Sequence, residues 1–187
     1  KSICFGYILR NDWFGLVRFH WNIDLPLLKS IKLDDKMFPN AVTMELVGLS
    51  SLELIEMGNG CFSSASSFAI NGMIWWCGSM AELLQLQSIK LGDSSFCKSR
   101  LFRVYSLPSL QSIELGSNSF GLSDSFILQS LPSLQSIVLG KTAFGSCRQF
   151  VMNNLTSFVS FDLGGNRFAS VTSFAMIGLV LFDFIET

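Results

Sequence analysis

The sequence of this 187-residue chain repeats with a period of 24 residues. Two segments show the period directly, because Leu107–Ile113 and Leu131–Ile137 both read LPSLQSI. The same pattern marks the starts of four further units at Leu25, Leu49, Leu83 and Leu155. A chain with such a period folds as stacked units, each of which buries its apolar side against its neighbours. A repeat architecture is therefore the first prediction from this sequence.

The repeat predicts a single solenoid domain over residues 1–187, with about six complete units and partial repeats at both ends. The complete units are 25–48, 49–82, 83–106, 107–130, 131–154 and 155–178. Unit 49–82 holds an insertion of ten residues relative to the others. Solenoids ordinarily carry polar capping repeats at their ends. Because none is visible here, we expect this sequence to be a fragment of a longer array.

Apolar residues occupy the first, fourth, seventh, ninth and fourteenth places of each unit. The seventh to ninth places, such as Ile113-Glu114-Leu115, direct two apolar side chains to one face of a strand and the middle residue to the other. We predict eight such strands, at 3–5, 31–33, 55–57, 89–91, 113–115, 137–139, 161–163 and 185–187. The second half of each unit contains β-formers, so we expect short extended or irregular segments there, with few helices.

Phenylalanine recurs at one place of the repeat without exception. The fourteenth place is Phe in all six complete units: Phe38, Phe62, Phe96, Phe120, Phe144 and Phe168. The twentieth place is Met or Phe: Met44, Phe68, Phe102, Phe126, Phe150 and Phe174. Stacking of successive units then predicts columns of aromatic rings through the core.

The segments Leu110–Phe120 and Phe158–Phe168 resemble the L-x-x-L-x-L-x-x-N-x-L core of the leucine-rich repeat superfamily. The resemblance covers nearly the whole chain. It implies a solenoid with a parallel β-sheet on its concave face, and it implies that this face is the usual binding surface. The family's Asn is present at Asn118 and Asn166. Other residues stand at the equivalent place of the other units: Lys36, Gly60, Ser94 and Thr142.

The residue between the two apolar strand positions points outward from the predicted concave sheet. In successive units it is Lys32, Glu56, Lys90, Glu114, Val138 and Asp162. The charged members of this row are candidate partner-binding residues. Cross-strand ion pairs of Lys32 with Glu56 and of Lys90 with Glu114 are also expected. The alternative is therefore a self-neutralised row that only fixes the register of the strands.

The insertion in unit 49–82 contains two adjacent tryptophans, Trp75 and Trp76. Insertions in solenoids form loops that often bind, and exposed tryptophans are common interface anchors. Both are therefore candidate partner-binding residues. The alternative is that Trp76 fills the fourth place of its own unit.

Charge and hydropathy exclude several classes of partner. The formal net charge of −1 gives no basic footprint for nucleic acid or for an anionic membrane surface. The most apolar stretches, 68–84 and 174–185, are interrupted by polar residues and glycine, which argues against a membrane span. The five cysteines form no Cys-x-x-Cys pair, so a metal site of that kind is not predicted.

The sequence offers no basis for catalysis, so we predict that the protein is not an enzyme and has no cofactor. His20 is the only histidine, and it has no Cys, Asp or Glu at ligand or triad spacing. The acidic pair Asp34-Asp35 falls in a predicted turn, where Asp is common for backbone reasons; a divalent cation there is the alternative. No phosphate-binding loop or nucleophile motif is present.

These features predict a protein-interaction module whose partner is a protein of unknown identity, bound by the concave strip or by the Trp75-Trp76 insertion. The alternative is a structural or adhesive scaffold segment of a longer array, without a discrete site, whose ends associate with each other. The sequence fixes neither the partner nor the cellular compartment.

Overall fold

The chain forms a parallel β-solenoid of about five turns. The structure, a computed structural model, describes residues 2–3, 16–19, 27–46, 49–71, 83–165, 170–178 and 183–185. All regular elements in these ranges are β-strands. The prediction of a repeat solenoid with few helices is confirmed, since no helix occurs in the described residues.

Fifteen short strands follow one another along the chain. They are β1 (Ser2–Ile3), β2 (Leu16–Phe19), β3 (Ser30–Leu33), β4 (Thr43–Leu46), β5 (Leu54–Met57), β6 (Phe68–Asn71), β7 (Ser88–Leu91), β8 (Leu101–Tyr105), β9 (Ser112–Leu115), β10 (Ser125–Gln129), β11 (Ser136–Leu139), β12 (Gln149–Asn153), β13 (Ser160–Asp162), β14 (Ser173–Ile177) and β15 (Asp183–Ile185).

Each turn of the solenoid contributes one strand to each side. The first sheet has eight strands in the order β1-β3-β5-β7-β9-β11-β13-β15, and it corresponds to the predicted concave sheet. The second sheet has five strands in the order β14-β12-β10-β8-β6, while β2 pairs with β4 in a separate two-stranded sheet. All pairings are parallel. The second half of the repeat is thus extended, as predicted, and from β6 to β14 it also forms one sheet.

The pairing register follows the repeat. Ile113 pairs with Ile137 in the first sheet, and Phe126 pairs with Phe150 in the second, both 24 residues apart. Ile55 pairs with Ile89 across 34 residues. The longer unit therefore keeps the register of its strands, and its extra residues fall between β6 and Leu83, outside the described residues.

The predicted position of the last strand is wrong by one residue. The repeat places Ile185 opposite Phe161, but in the structure Phe184 pairs with Phe161 and Asp183 pairs with Ser160. This register matches polar with polar and aromatic with aromatic residues. A strict 24-residue step would instead have placed Phe184 opposite Ser160, on the alternate face of the strand.

The core contains two columns of phenylalanine rings between the sheets, as the sequence predicted, together with the buried Leu and Ile side chains of each unit. In the column at the fourteenth place, the ring centroids of Phe96 and Phe120 lie 5.5 Å apart, and those of Phe120 and Phe144 lie 5.3 Å apart, with nearly parallel planes. Phe102 and Phe126, from the column at the twentieth place, are stacked at 5.3 Å. The two columns meet edge to face, with Phe102 4.8 Å from Phe120. Phe168 lies outside the described residues.

The phenylalanines of the first column sit in an unusual backbone conformation. Phe96, Phe120 and Phe144 have φ between 52° and 55°, in the left-handed region. The twelfth place is also left-handed, with φ of 58° at Asn118 and 68° at Gly60. Asn and Gly tolerate this region best, which gives a physical reason for the Asn at this place of the repeat. For Phe the conformation costs about 1–2 kcal/mol, and burial of a whole ring offsets a cost of that size.

The glycine after the strand is required by the closeness of the neighbouring turn. A Cβ added at Gly116 would lie 2.5 Å from the backbone nitrogen of Asp93 and 2.6 Å from the carbonyl carbon of Gly92. Gly58, Gly92 and Gly140 meet the preceding turn in the same way. At these positions glycine is needed because it has no side chain, and not because of its freedom in φ.

We expect Phe120→Ala to lower the free energy of unfolding by about 3–5 kcal/mol, because the ring is fully buried and contacts rings on both sides of its column. Leu122→Ala is the control, since Leu122 is 57% exposed and its loss leaves no cavity. Urea denaturation followed by circular dichroism measures both. Similar losses for the two variants would contradict the column model.

Gly116→Ala should destabilise the fold by about 1–3 kcal/mol, as other forms of overpacking do, because its Cβ would strike backbone atoms of the preceding turn. Gly145→Ala is a matched control whose Cβ would meet nothing nearer than 3.6 Å. It should be neutral or slightly stabilising, since Ala restricts the unfolded chain. Thermal unfolding of both variants checks this difference in sign.

Candidate interaction surface

The charged row on the outer face of the first sheet comprises Lys32, Glu56, Lys90, Glu114, Val138 and Asp162, which occupy adjacent strands in this order. The ammonium of Lys32 lies 2.6 Å from a carboxylate oxygen of Glu56, and the ammonium of Lys90 lies 3.0 Å from that of Glu114. Both predicted cross-strand ion pairs are therefore confirmed. All four of these side chains remain about half exposed.

Among the four ion-paired residues of the row, Lys90 has a shifted pKa. The hydrogen bond and charge of Glu114, with a further contribution from Glu56, raise the pKa of Lys90 above its usual value. Lys29 repeats the arrangement at the start of the sheet, where it donates a 2.7 Å hydrogen bond to Glu53. Exposed pairs of this kind contribute at most about 1 kcal/mol each. Their main effect is to fix register and to neutralise one another.

Val138 interrupts this alternation of charges. It pairs with Glu114 on one side and with Asp162 on the other, and its side chain is 40% exposed. Val159, which precedes β13, is 58% exposed and donates its backbone N–H to the carbonyl of Gln135. Exposed apolar side chains therefore occur on β11 and just before β13, beside a face that is mostly polar, where Leu54 of β5 is partly exposed.

Small and amide side chains flank the charged row. The position two residues before it holds serine in β3, β7, β9, β11 and β13, and Ser112 donates a 2.9 Å hydrogen bond to the hydroxyl of Ser88. One residue earlier, Gln87, Gln111 and Gln135 are exposed on consecutive turns. These groups make the surface around Val138 polar and give it hydrogen-bonding capacity.

The acidic pair Asp34-Asp35 lies in the turn after β3, as predicted, and the structure gives Asp35 a backbone role. Its carboxylate accepts a 2.7 Å hydrogen bond from the backbone N–H of Asn59 in the next turn. Asn59 and Asp93 repeat this bond to the turns that follow them. Within the described ranges, no group of three or more His, Cys, Asp or Glu side chains could hold a metal ion.

The cysteines of the described region are structural thiols. Cys61 and Cys147 are buried, and Cys97 is partly exposed. Cys61 stands at the thirteenth place and donates to the carbonyl of Asp34, as Ser95 at the same place donates to the carbonyl of Gly58. Burial raises the pKa of the Cys147 thiol to about 11, so this group stays protonated at neutral pH and is a poor nucleophile.

The two candidate tryptophans, Trp75 and Trp76, lie outside the described residues, and so do His20, Cys4 and Cys77. The structure therefore brings together five of the predicted site residues, Lys32, Glu56, Lys90, Glu114 and Asp162. The role of the tryptophans stays a prediction.

Sequence reasoning missed a second group of charged residues. Lys98, Arg100, Arg103 and Arg148, named here the cationic cluster, are exposed on or just before the strands of the second sheet. Asp124 lies between Arg100 and Arg148, with carboxylate oxygens 3.5 and 4.0 Å from their guanidinium nitrogens. The alternating pattern of 101–105, in which Phe102 and Val104 are buried and Arg103 is exposed, was the available signal for this face.

Comparison with known proteins adds no relatives. No family model matches this chain, and neither a curated protein nor a solved structure matches it. In the described part of the chain, no helix has the length and apolarity needed to cross a membrane. The residues themselves must therefore support any functional assignment.

We expect Val138→Lys to maintain or raise the free energy of unfolding by up to about 1 kcal/mol, because the new ammonium would stand between Glu114 and Asp162. Val138→Glu should lower it by a similar amount, since it would place three carboxylates on adjacent strands. Both variants lose the same β-branched side chain, so their difference isolates charge. Urea denaturation at low and high salt should show a difference that shrinks with ionic strength. Equal stabilities at low salt would contradict this account of the row.

Proposed function

We propose that this chain is a non-catalytic protein-interaction module of the leucine-rich-repeat type, which binds a protein partner on the outer face of its first sheet. The single observation that supports this most is the pair of exposed valines, Val138 and Val159, at a sheet whose outer face is mostly polar and ion-paired, with Leu54 as a further, partly exposed apolar side chain. The Trp75-Trp76 insertion is proposed as a second contact. The leucine-rich-repeat assignment rests on the 24-residue repeat and on the position of its strands.

The distribution of charge favours the β11–β13 half of this face as the point of contact. In the β3–β9 half, Lys32, Glu56, Lys90 and Glu114 neutralise one another, so a partner would have to break existing ion pairs to contact them. Around β11 and β13, incoming apolar side chains can cover Val138 and Val159 without breaking the ion pairs of the β3–β9 half. Burial of exposed apolar surface stabilises a complex, and the nearby Gln135 and Ser136 can form hydrogen bonds at the rim.

A random peptide library displayed on phage, selected against the immobilised chain, tests this proposal. Wild-type protein should enrich peptides whose binding is lost in Val138→Lys and in Val159→Ser, because both variants remove apolar surface while keeping the fold. The paired variant Trp75→Ala/Trp76→Ala tests the insertion separately. Leu122→Ala removes an exposed apolar side chain from another part of the solenoid and serves as the matched control.

The outcomes separate the proposals. Peptides that bind wild-type protein and Leu122→Ala but neither valine variant support the first sheet as the binding face. Peptides that bind the valine variants fully but not the tryptophan variant move the site to the insertion. Failure of the wild-type protein to enrich any peptide would contradict the proposed function.

A specific observation also favours the alternative, a scaffold segment that associates with further repeats. Phe174 and Ile177 of β14 are each 59% exposed, whereas Phe150, the neighbour of Phe174 in its column, is 1% exposed. A further turn stacked on β14 would cover Phe174 as β14 covers Phe150. Light scattering over a range of protein concentrations distinguishes the two functions: growing oligomers that Phe174→Ser abolishes support the scaffold, and a constant monomer contradicts it.

A further inference from the structure

The outer face of the second sheet carries an excess of positive charge that the composition of the whole chain hides. The cationic cluster supplies four cations, and Asp124 is the acidic side chain that the structure places among them. The first sheet, by contrast, has carboxylates alternating with lysines along its charged row. The formal net charge of −1 therefore averages over two faces of different character.

The stacked turns leave most of these cations without an acidic neighbour. Arg103 lies between Ala69 and Ile127 on the adjacent strands, and within the described residues neither Arg103 nor Lys98 forms an ion pair. Arg100 and Arg148 share the single carboxylate of Asp124, and their side chains are 79% and 74% exposed. Arg100, Asp124 and Arg148 alternate in sign on consecutive turns, as the lysines and glutamates of the first sheet do. Arg103 and Lys98 depart from this arrangement, and they leave the second sheet with an excess of positive charge.

Apolar side chains lie between the cations. Leu101, Ile127 and Val151 are partly exposed on the outer face of β8, β10 and β12, at positions that alternate with the buried residues of these strands. Strands in a sheet are about 4.8 Å apart, and residues along a strand rise about 3.3 Å. From these backbone spacings, the Cα atom of Arg100 lies about 10 Å from that of Arg148, two strands away, and about 10 Å from that of Arg103, along the chain.

The arginines and the apolar side chains between them favour an acidic peptide over other polyanions. A nucleic acid or a sulfated polysaccharide carries closely spaced charges along its whole length, and it would leave the apolar side chains between the arginines without contacts. A peptide in the polyproline II conformation rises about 9 Å in three residues and returns every third side chain to the same side. A segment with a carboxylate at every third position and apolar residues between them can therefore place two carboxylates over Arg100 and Arg148, or over Arg100 and Arg103, with apolar side chains near Ile127 and Val151.

We propose that the outer face of the second sheet binds an acidic protein segment in which carboxylates alternate with apolar residues. Arg100, Arg103 and Arg148 hold its carboxylates, since a guanidinium pairs with a carboxylate through two parallel hydrogen bonds. Asp124 limits affinity by competing for two of the three arginines. This site is on a different sheet from the one in the proposed function, so either can fail without the other.

The test is fluorescence anisotropy with a labelled peptide of repeating Glu-Leu-Gly, titrated with the whole chain at about 0.1 M salt, where the Debye length is about 10 Å. Arg103→Gln/Arg148→Gln should weaken binding by about fivefold or more. Asp124→Asn should strengthen binding by about twofold or more, because it releases Arg100 and Arg148. Lys36→Gln/Lys141→Gln removes the same charge from exposed turns that follow strands of the first sheet and should leave the affinity unchanged.

Three results would overturn the proposal. Equal weakening in the arginine and lysine pairs would mean that only the overall charge acts. Weaker binding in Asp124→Asn would mean that the carboxylate orders the arginines and does not compete with the peptide. Tight binding of heparin or duplex DNA, with no binding of the Glu-Leu-Gly peptide, would assign the face to a uniform polyanion. Unchanged circular dichroism and thermal unfolding show that each variant retains its fold.

Discussion

The stacking of equivalent side chains from successive turns is the constraint on which the whole structure depends. Parallel pairing in constant register places each residue beside its counterpart 24 residues away, at the separation of adjacent strands, about 4.8 Å. A flat ring suits this separation. The rings of Phe96, Phe120 and Phe144 accordingly stack with centroids 5.3–5.5 Å apart. This column is also the reason that phenylalanine is retained where the backbone is left-handed, because no polar turn residue would fill the core.

The same constraint governs polar groups. Some polar groups find their partner in a neighbouring turn: the buried hydroxyl of Ser119 donates to the carbonyl of Gly92, and the carboxylate of Asp35 accepts from the amide of Asn59. Others, such as the buried hydroxyl of Ser123, donate to a carbonyl two residues further along the same turn. These buried or close-packed polar atoms are thereby satisfied. Charged side chains can follow one another only if their signs alternate, since like charges on adjacent strands repel. Lys32, Glu56, Lys90 and Glu114 follow this rule.

The sequence predicted those parts of the fold that repeat strictly. The strands of the first sheet, the columns at the fourteenth and twentieth places and the ion pair of Lys90 with Glu114 all follow from the 24-residue period and the alternation of a strand. The second sheet was predicted only as extended segments, because its outward positions vary from Ala69 to Arg103 and Ile127 and give no repeated signal. The register of β15 was wrong because the last unit is one residue short of the period.

The candidate site was predicted only in part, for the same reason. The residues of the charged row were found because they recur at one place of the repeat. Most of these charged side chains, however, form ion pairs with one another. The cationic cluster and the pair Val138 and Val159 went unrecognised as features because they depart from the repeat, and a departure has meaning only when its neighbours on adjacent strands are known. Val138, for example, stands out once Glu114 and Asp162 are seen on either side of it.

Function in a solenoid of this kind is therefore best sought where the stacking rule is broken. A side chain that forms an ion pair with its neighbour on the adjacent strand stabilises the register, as Lys90 does with Glu114. Binding such a side chain to a partner would first require that ion pair to break. Of the four cations of the cationic cluster, only Arg100 and Arg148 form ion pairs within the described residues, and both share the carboxylate of Asp124. A side chain that does not match its neighbours, such as Arg103 between Ala69 and Ile127, adds nothing to the register and keeps its charge available at the surface. Such a side chain can bind a partner without first breaking an ion pair within the protein.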